Sequence, residues 1–199
     1  MRYGMIIDLG RCIGCNACTI ACKQKNATPP GVFWCKVGVS EEGSYPHAYK
    51  KIMPTLCNHC ENPTCVHVCP TGASYKRDDG IVLVDKDKCI GCRYCMAACP
   101  YEARTFDFGD RTGYFPERGN NAYEDATTYN HVKGTVSKCI LCADKIDEGD
   151  IPACARVCPT GARIFGDLDS EEMQALVKEG AYQPRPDERT NPSVYYLPK

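Results

Sequence analysis

The chain has no long hydrophobic run, no excess of one charge and no leader-like opening. No apolar stretch in its 199 residues approaches the ~18 needed to cross a bilayer, the densest being Ile81-Val82-Leu83-Val84. A link to a membrane is therefore expected to come through a partner. The net charge of −1 and isoelectric point of about 6.4 provide no basic field for nucleic acid. The opening MRYGMIIDLG lacks the charged head, apolar core and small-residue cleavage site of a secretory signal. Also missing are a Gly-rich dinucleotide fingerprint after a strand, a haem-attaching Cys-x-x-Cys-His and a nucleophile elbow.

What the chain has instead is cysteine, 17 residues of it. That density otherwise marks small secreted disulfide scaffolds. An odd count without a secretory leader argues against disulfides, and spacing decides the matter. Cys12, Cys15, Cys18, Cys22 and Cys89, Cys92, Cys95, Cys99 both read C-x2-C-x2-C-x3-C. Cys57, Cys60, Cys65, Cys69 form a second group with four residues in the middle gap, and Cys139, Cys142, Cys154, Cys158 a fourth with eleven. Cys69, Cys99 and Cys158 are each followed by proline, whereas Cys22 is followed by Lys23.

Three thiolates two residues apart wrap one cuboidal iron–sulfur cluster in a tight loop, and the fourth cysteine, three residues on, reaches the neighbouring cluster. Zinc knuckles need only two Cys-x2-Cys pairs. A third cysteine inside the loop and the Cys-Pro step are not the zinc pattern. The expected cofactors are four [4Fe–4S] clusters, with Cys35 left over. Sixteen thiolates and four cores of roughly +2 each make the loaded chain more acidic than its formal charge.

Two repeats run through the groups. Ile7-Asp8 before Cys12-Ile13-Gly14-Cys15 matches Val84-Asp85 before Cys89-Ile90-Gly91-Cys92, and Cys69-Pro-Thr-Gly-Ala recurs at Cys158, so the order is A-B-A-B. The repeat alone allows groups one and two to pair. Spacing argues otherwise: 19 residues separate Cys69 from Cys89, against gaps of 34 and 39 elsewhere. Groups two and three then make one compact module, and groups one and four pair across it. The expected sets are Cys12, Cys15, Cys18 with Cys158; Cys22 with Cys139, Cys142, Cys154; Cys57, Cys60, Cys65 with Cys99; and Cys69 with Cys89, Cys92, Cys95. The predicted fold is α+β, two ferredoxin-like two-cluster modules with one inserted in the other. The boundaries are 1–55 plus 136–169 for the outer module, 56–108 for the inserted one, 109–135 for a long loop, and 170–199 for a short helix and extended tail.

Elsewhere, 3–8 and 81–85 read as strands, with Asp79-Gly80 as a hairpin turn. Short helices are expected at 18–25 and 95–99, and a second hairpin across 32–39 and 48–53. Ser170 with Glu171 and Glu172 starts a helix that Gly180 ends. The apolar tail residues Val194 to Leu197 are expected to pack on the protein or on a partner. The 109–135 excursion is read as solvated, with docking as the alternative. Cys35 is expected to be a buried, inert thiol. His47, His59, His67 and His131 are not spaced as a metal set, though His59 and His67 should shape a cluster's surroundings. Arg11, Lys23, Lys88, Arg93 and Lys138 crowd the loops and are expected to influence cluster potentials, and Gly14 and Gly91 to let backbone N–H groups approach sulfur.

Four stretches carry a resemblance: IIDLGRCIGCNACTIACK, LCNHCENPTCVHVCPTGA, GIVLVDKDKCIGCRYCMAACPY and CARVCPTGARIFGDLD. The whole chain resembles the four-cluster electron-transfer subunits of the dimethyl sulfoxide reductase family of molybdenum or tungsten bis-pterin oxidoreductases. PTLCNHC and the C-terminal VYYL look like the arsenate and polysulfide reductase small subunits. The resemblance implies the same cluster pairing and no catalytic residues in this chain. It also implies a large molybdenum- or tungsten-pterin catalytic subunit as partner, with electrons relayed to a quinone anchor or soluble carrier. Location is left open between the periplasm, by co-export with a signal-bearing partner, and the cytoplasm. A free-standing polyferredoxin carrier is the alternative.

Overall fold

The computed structural model describes residues 1–109, 114, 115, 117–119, 121–126 and 131–199. In chain order the elements are β1 (Tyr3–Asp8), α1 (Ala17–Asn26), β2 (Cys35–Glu42), β3 (Tyr49–Leu56), α2 (Thr64–His67), β4 (Ser74–Lys76), β5 (Val82–Val84), α3 (Tyr94–Ala97), β6 (Arg104–Phe106), α4 (Ala122–Ala126), β7 (Val136–Lys138), α5 (Ala143–Asp147), α6 (Ala153–Arg156), β8 (Arg163–Asp167), α7 (Glu171–Lys178) and β9 (Val194–Leu197). Helices and strands alternate in short pieces, an α+β arrangement. None of the described helices is long and apolar enough to cross a membrane.

β1 is the centre of the fold. It runs antiparallel to β8 and parallel to β9, so Met5, Ile6 and Ile7 are all fully buried. A central strand covered on both faces needs a continuous apolar run rather than an alternating one. Met5 and Ile7 join the main core with Trp34, Leu56, Ile81, Leu141 and Tyr196, while Ile6 meets Leu168 and Met173 beneath α7. That helix starts where its residues direct: the Ser170 hydroxyl accepts a hydrogen bond from the Met173 N–H at 3.3 Å, and Glu171 and Glu172 occupy its first turn.

The remaining strands form three two-stranded hairpins or ladders, β2-β3, β4-β5 and β6-β7, all antiparallel. The β4-β5 turn closes on Gly80, whose N–H reaches the Arg77 carbonyl at 3.0 Å. The β2-β3 hairpin lies about three residues later than the hydrophobic pattern predicts. Val32 is held in a turn on the Pro29 carbonyl, so pairing begins at Cys35 opposite Leu56.

The tail differs from one half of its expectation. β9 is a strand of the central sheet, with Val194 and Tyr196 buried and the Tyr196 hydroxyl donating to the Pro54 carbonyl at 2.9 Å. Its approach also accepts hydrogen bonds from Glu61 and Asn62 N–H through Asn191 and Thr190. The apolar residues of the tail are used internally, which removes them as a docking surface. In the 109–135 excursion, residues 110–113, 116, 120 and 127–130 lie outside the described residues. What is described folds back onto α1 and its exit: the Tyr114 hydroxyl donates to the Thr28 carbonyl, and His131 Nε2 lies 2.9 Å from the Asn26 carbonyl.

Candidate metal centres

The two A-type loops have one backbone. Asp8 Oδ1 accepts from the N–H groups of Gly10 and Arg11, and Asp85 Oδ1 does the same for Asp87 and Lys88. Arg11 and Lys88 then pair with those aspartates. Within the loops Gly14 and Gly91 have φ near +70°, at +71° and +69°, and Asn16 and Arg93 follow at +62° and +63°. Two left-handed residues in alternation turn the chain tightly enough for three cysteines to face one centre. The B-type loops use proline, Pro63 and Pro152, at the helix entrance instead.

All four loops lead into a short helix whose second residue is the third cysteine of its group: Cys18 in α1, Cys65 in α2, Cys95 in α3 and Cys154 in α6. α1 packs on α6 and α2 on α3. The fourth cysteine, about one turn further on, within α1 for Cys22 and just past the helix for Cys69, Cys99 and Cys158, is thereby carried toward the other loop of its pair.

Three cavities follow from this. One is lined by Cys12, Cys15, Cys18 and Cys158. A second is lined by Cys22, Cys139, Cys142 and Cys154, with Cys35 at its wall. A third is lined by Cys69, Cys89, Cys92 and Cys95. Around Cys60, burial and the negative charges of Cys57, Cys65 and Cys99 push the thiol up to about 12, so these four also face one another. Cys139 feels both Cys22 and Cys57, so the second and fourth of these sets adjoin. Cys15 and Cys92, in the two outer sets, are exposed, while the set around Cys139 is buried throughout.

The surroundings suit a polynuclear anion. Sulfurs sharing one zinc would lie about 3.8 Å apart at Zn–S bonds of ~2.3 Å. Among the described residues no group of three His, Cys, Asp or Glu is arranged to hold a metal ion. Donors nevertheless converge on sulfur. The Leu141 N–H reaches Cys139 Sγ at 3.4 Å, Asn26 Nδ2 reaches Cys22 Sγ at 3.5 Å, and the Ser74 N–H reaches Cys69 Sγ at 3.4 Å. Burial would raise Cys69 and Cys158, but hydrogen bonds from backbone N–H groups and from Thr71 and Thr160 outweigh it and lower both. Deeper thiols go the other way: burial pushes Cys22 up to about 12 and Cys154 to about 11, and Cys139 well above its ordinary value. His59 Nε2 and Arg104 Nε and Nη2 are buried with no oxygen or nitrogen partner, as donors facing an anionic sulfur group would be.

Of the basic residues the sequence singles out, four are anchors. Arg11 and Lys88 hold their aspartates, Lys23 donates to the carbonyls of Thr28, Pro29 and Val32, and Arg93 lies over the Phe106 ring at 5.1 Å. Lys138 alone is fully buried, donating to the carbonyls of Val82 and Cys139. His59 is fully buried and accepts from the Val82 N–H through Nδ1 at 3.0 Å, and burial, with Lys138 and Arg104 nearby, keeps it neutral. Cys35 is buried, yet it touches the site: its thiol hydrogen-bonds Cys18, bringing that thiol down to about 5 against burial and with help from Arg163.

Sequence reasoning passed over two residues, Arg104 and Arg163. Both are buried against cysteine sulfur. A third repeat marks them, Cys99-Pro-Tyr-Glu-Ala-Arg104 against Cys158-Pro-Thr-Gly-Ala-Arg163.

Comparison with known families agrees with this chemistry. Two family models described as 4Fe-4S dicluster domains match, one over residues 48–113 and one over 11–73 and 88–162. The chain is thus a [4Fe–4S] protein built of dicluster domains. It is 42% identical to a dimethyl sulfoxide reductase iron–sulfur subunit of Halobacterium salinarum, over 98% of this chain and 79% of that one. Identity is 37% to the arsenate respiratory reductase iron–sulfur subunit ArrB of a Shewanella species, over 99% and 96%. It is 42% to the thiosulfate reductase electron transfer subunit PhsB of Salmonella typhi, over 88% and 81%. This protein belongs to their family, the iron–sulfur subunits that carry electrons within multi-subunit reductases rather than catalyse the reduction.

Proposed function

We propose that the chain holds four [4Fe–4S] clusters on sixteen cysteines and relays electrons between a molybdenum- or tungsten-pterin catalytic subunit and a quinone anchor or soluble carrier. One observation carries the reading: three sets of four cysteines, each drawn from two separate loops, line three separate cavities, and the fourth set surrounds Cys60. The ligand sets are Cys12, Cys15, Cys18, Cys158; Cys22, Cys139, Cys142, Cys154; Cys57, Cys60, Cys65, Cys99; and Cys69, Cys89, Cys92, Cys95. When bound, each cluster supplies a one-electron site. The residues support one order, with the inner sets adjoining through Cys139 and Cys57 and the outer sets carrying the exposed Cys15 and Cys92. Electrons therefore enter and leave at opposite ends of the series. The packing of α2 on α3 and of α1 on α6 supports treating groups two and three as one module inserted between groups one and four.

The catalytic partner follows from the relatives, whose names make them iron–sulfur or electron-transfer subunits of dimethyl sulfoxide, arsenate and thiosulfate reductases. Purified anaerobically from its source, the chain should contain about sixteen irons and as many acid-labile sulfides. It should travel with a much larger polypeptide carrying molybdenum or tungsten. Stoichiometric zinc without labile sulfide would end the cluster reading. A stable, fully loaded monomer free of molybdenum and tungsten would favour a free-standing polyferredoxin instead.

A further inference from the structure

Each pair of loops shares one buried arginine. Arg163, the first residue of β8, has its Nη2 3.2 Å from Cys35 Sγ and its Nη1 3.9 Å from Cys154 Sγ. It also hydrogen-bonds Cys18. Arg104, the first residue of β6, donates through Nη1 to Ser74 Oγ at 2.9 Å, while its Nε and Nη2 have no oxygen or nitrogen partner and its guanidinium hydrogen-bonds cysteine sulfur. Its charge lies against Cys65 and Cys95. Cys18 and Cys154 are the third cysteines of groups one and four, and Cys65 and Cys95 those of groups two and three. Both arginines are therefore placed alike: each stands at the N-terminal ends of two packed helices and meets one cysteine from each set of its own pair. No carboxylate pairs with either guanidinium among the described residues, so sulfur supplies the opposing charge. Burial alone would lower their pKa values, and the surrounding sulfurs reverse that, so both stay protonated.

We propose that Arg104 and Arg163 are matched positioning residues, one per two-cluster module, each bridging both clusters of its module and raising both potentials together. The inference rests on the proposal above that the four sets hold clusters. The sign follows from charge. Reduction adds one negative charge to a centre already negative, so a fixed cation nearby stabilises the reduced form more than the oxidised one. A cation set between two centres acts on both. Charge of this kind, buried, without a carboxylate partner and within reach of sulfur, exerts far more effect than the exposed lysines and arginines, which solvent screens.

The test is a potentiometric titration of the intact complex followed by electron paramagnetic resonance, with iron counted on the same samples. Arg104→Gln should make reduction of two clusters at least about tenfold less favourable, a downward shift of about 59 mV or more for one electron. Arg163→Gln should shift the other two, so the pairs moved by the two variants do not overlap. Arg104→Lys and Arg163→Lys, which retain the charge, should recover most of each shift. Movement of one cluster only, of all four alike, or of none overturns the proposal, as do Lys variants that shift as far as Gln. Should the Gln variants lose iron, the Lys variants decide. Full iron with near-native potentials upholds the role, and lost iron makes the arginines structural and overturns it. A wild-type chain without clusters would instead reject the ligand reading, a separate outcome visible in the iron count.

Discussion

At the scale of single residues, the cysteine spacing carries most of the information because ligand geometry tolerates little variation. Gly91 shows how local that constraint is. Its φ of +69° would strain any side chain, and a Cβ there would lie 2.1 Å from the Gly134 carbonyl oxygen. Gly14 shares the conformation, yet its Cβ would meet only the end of Ile52 at 3.1 Å. Left-handed strain costs about 1–2 kcal/mol at either site, but only Gly91 adds a backbone collision that no rotamer relieves. Gly91→Ala should therefore lose about a quarter of the iron, the share held by its own loop, whereas Gly14→Ala should keep nearly all. Iron and sulfide analysis of the two variants checks this, and equal losses would show that strain alone governs the loops. The buried arginines were harder to read. Arginine is a surface residue by habit, and nothing at Arg104 or Arg163 in isolation indicates that the charge is turned inward.

At the scale of elements, legibility depended on how local the determining interactions are. α7 could be read because its cap and first-turn acids are adjacent in sequence, and β4-β5 because Asp79-Gly80 makes its own turn. β9 could not. Its partner β1 is almost the length of the chain away and runs parallel to it, and four residues of VYYL look the same whether they pair inside or dock outside. The pairing makes the tail part of the fold. Deleting 191–199 would expose the surface covered by Val194 and Tyr196, a loss of about 1.5–3 kcal/mol for each side chain, together with the Tyr196 bond to Pro54. That approaches the 5–15 kcal/mol by which a domain of this size is stable. The truncated chain should accordingly have lower soluble yield and lower visible absorbance per chain. A truncation that kept all its iron and thermal stability while losing only its partner would restore the tail as a docking segment.

At the scale of the whole molecule, the core is joined by its cysteines. Eight of the 27 buried apolar residues among those described are cysteines, and six of them share the main core with Met5 and Ile7 of β1 and Val194 and Tyr196 of β9. With most of that share of the core made of proposed ligands drawn from loops far apart in sequence, metal binding and folding should be one process. The thiols give that process a pH dependence. The folded sites disfavour free thiolates: burial first and neighbouring thiolates second push Cys22 and Cys60 up to about 12 and Cys154 to about 11, above the ordinary 9.0. Ligation must displace the thiol protons. As pH falls, proton competition grows, and each such thiol weakens ligation by about tenfold per pH unit. Treatment with an iron chelator should therefore bleach the protein faster as the buffer is moved from about pH 8 to about pH 6. Far-ultraviolet circular dichroism should fall in step with the visible absorption at every pH. If the dichroism survived complete bleaching, the sheet around β1 would be holding the fold without its metal, and the cysteines would be passengers in a core that the aliphatic residues had already closed.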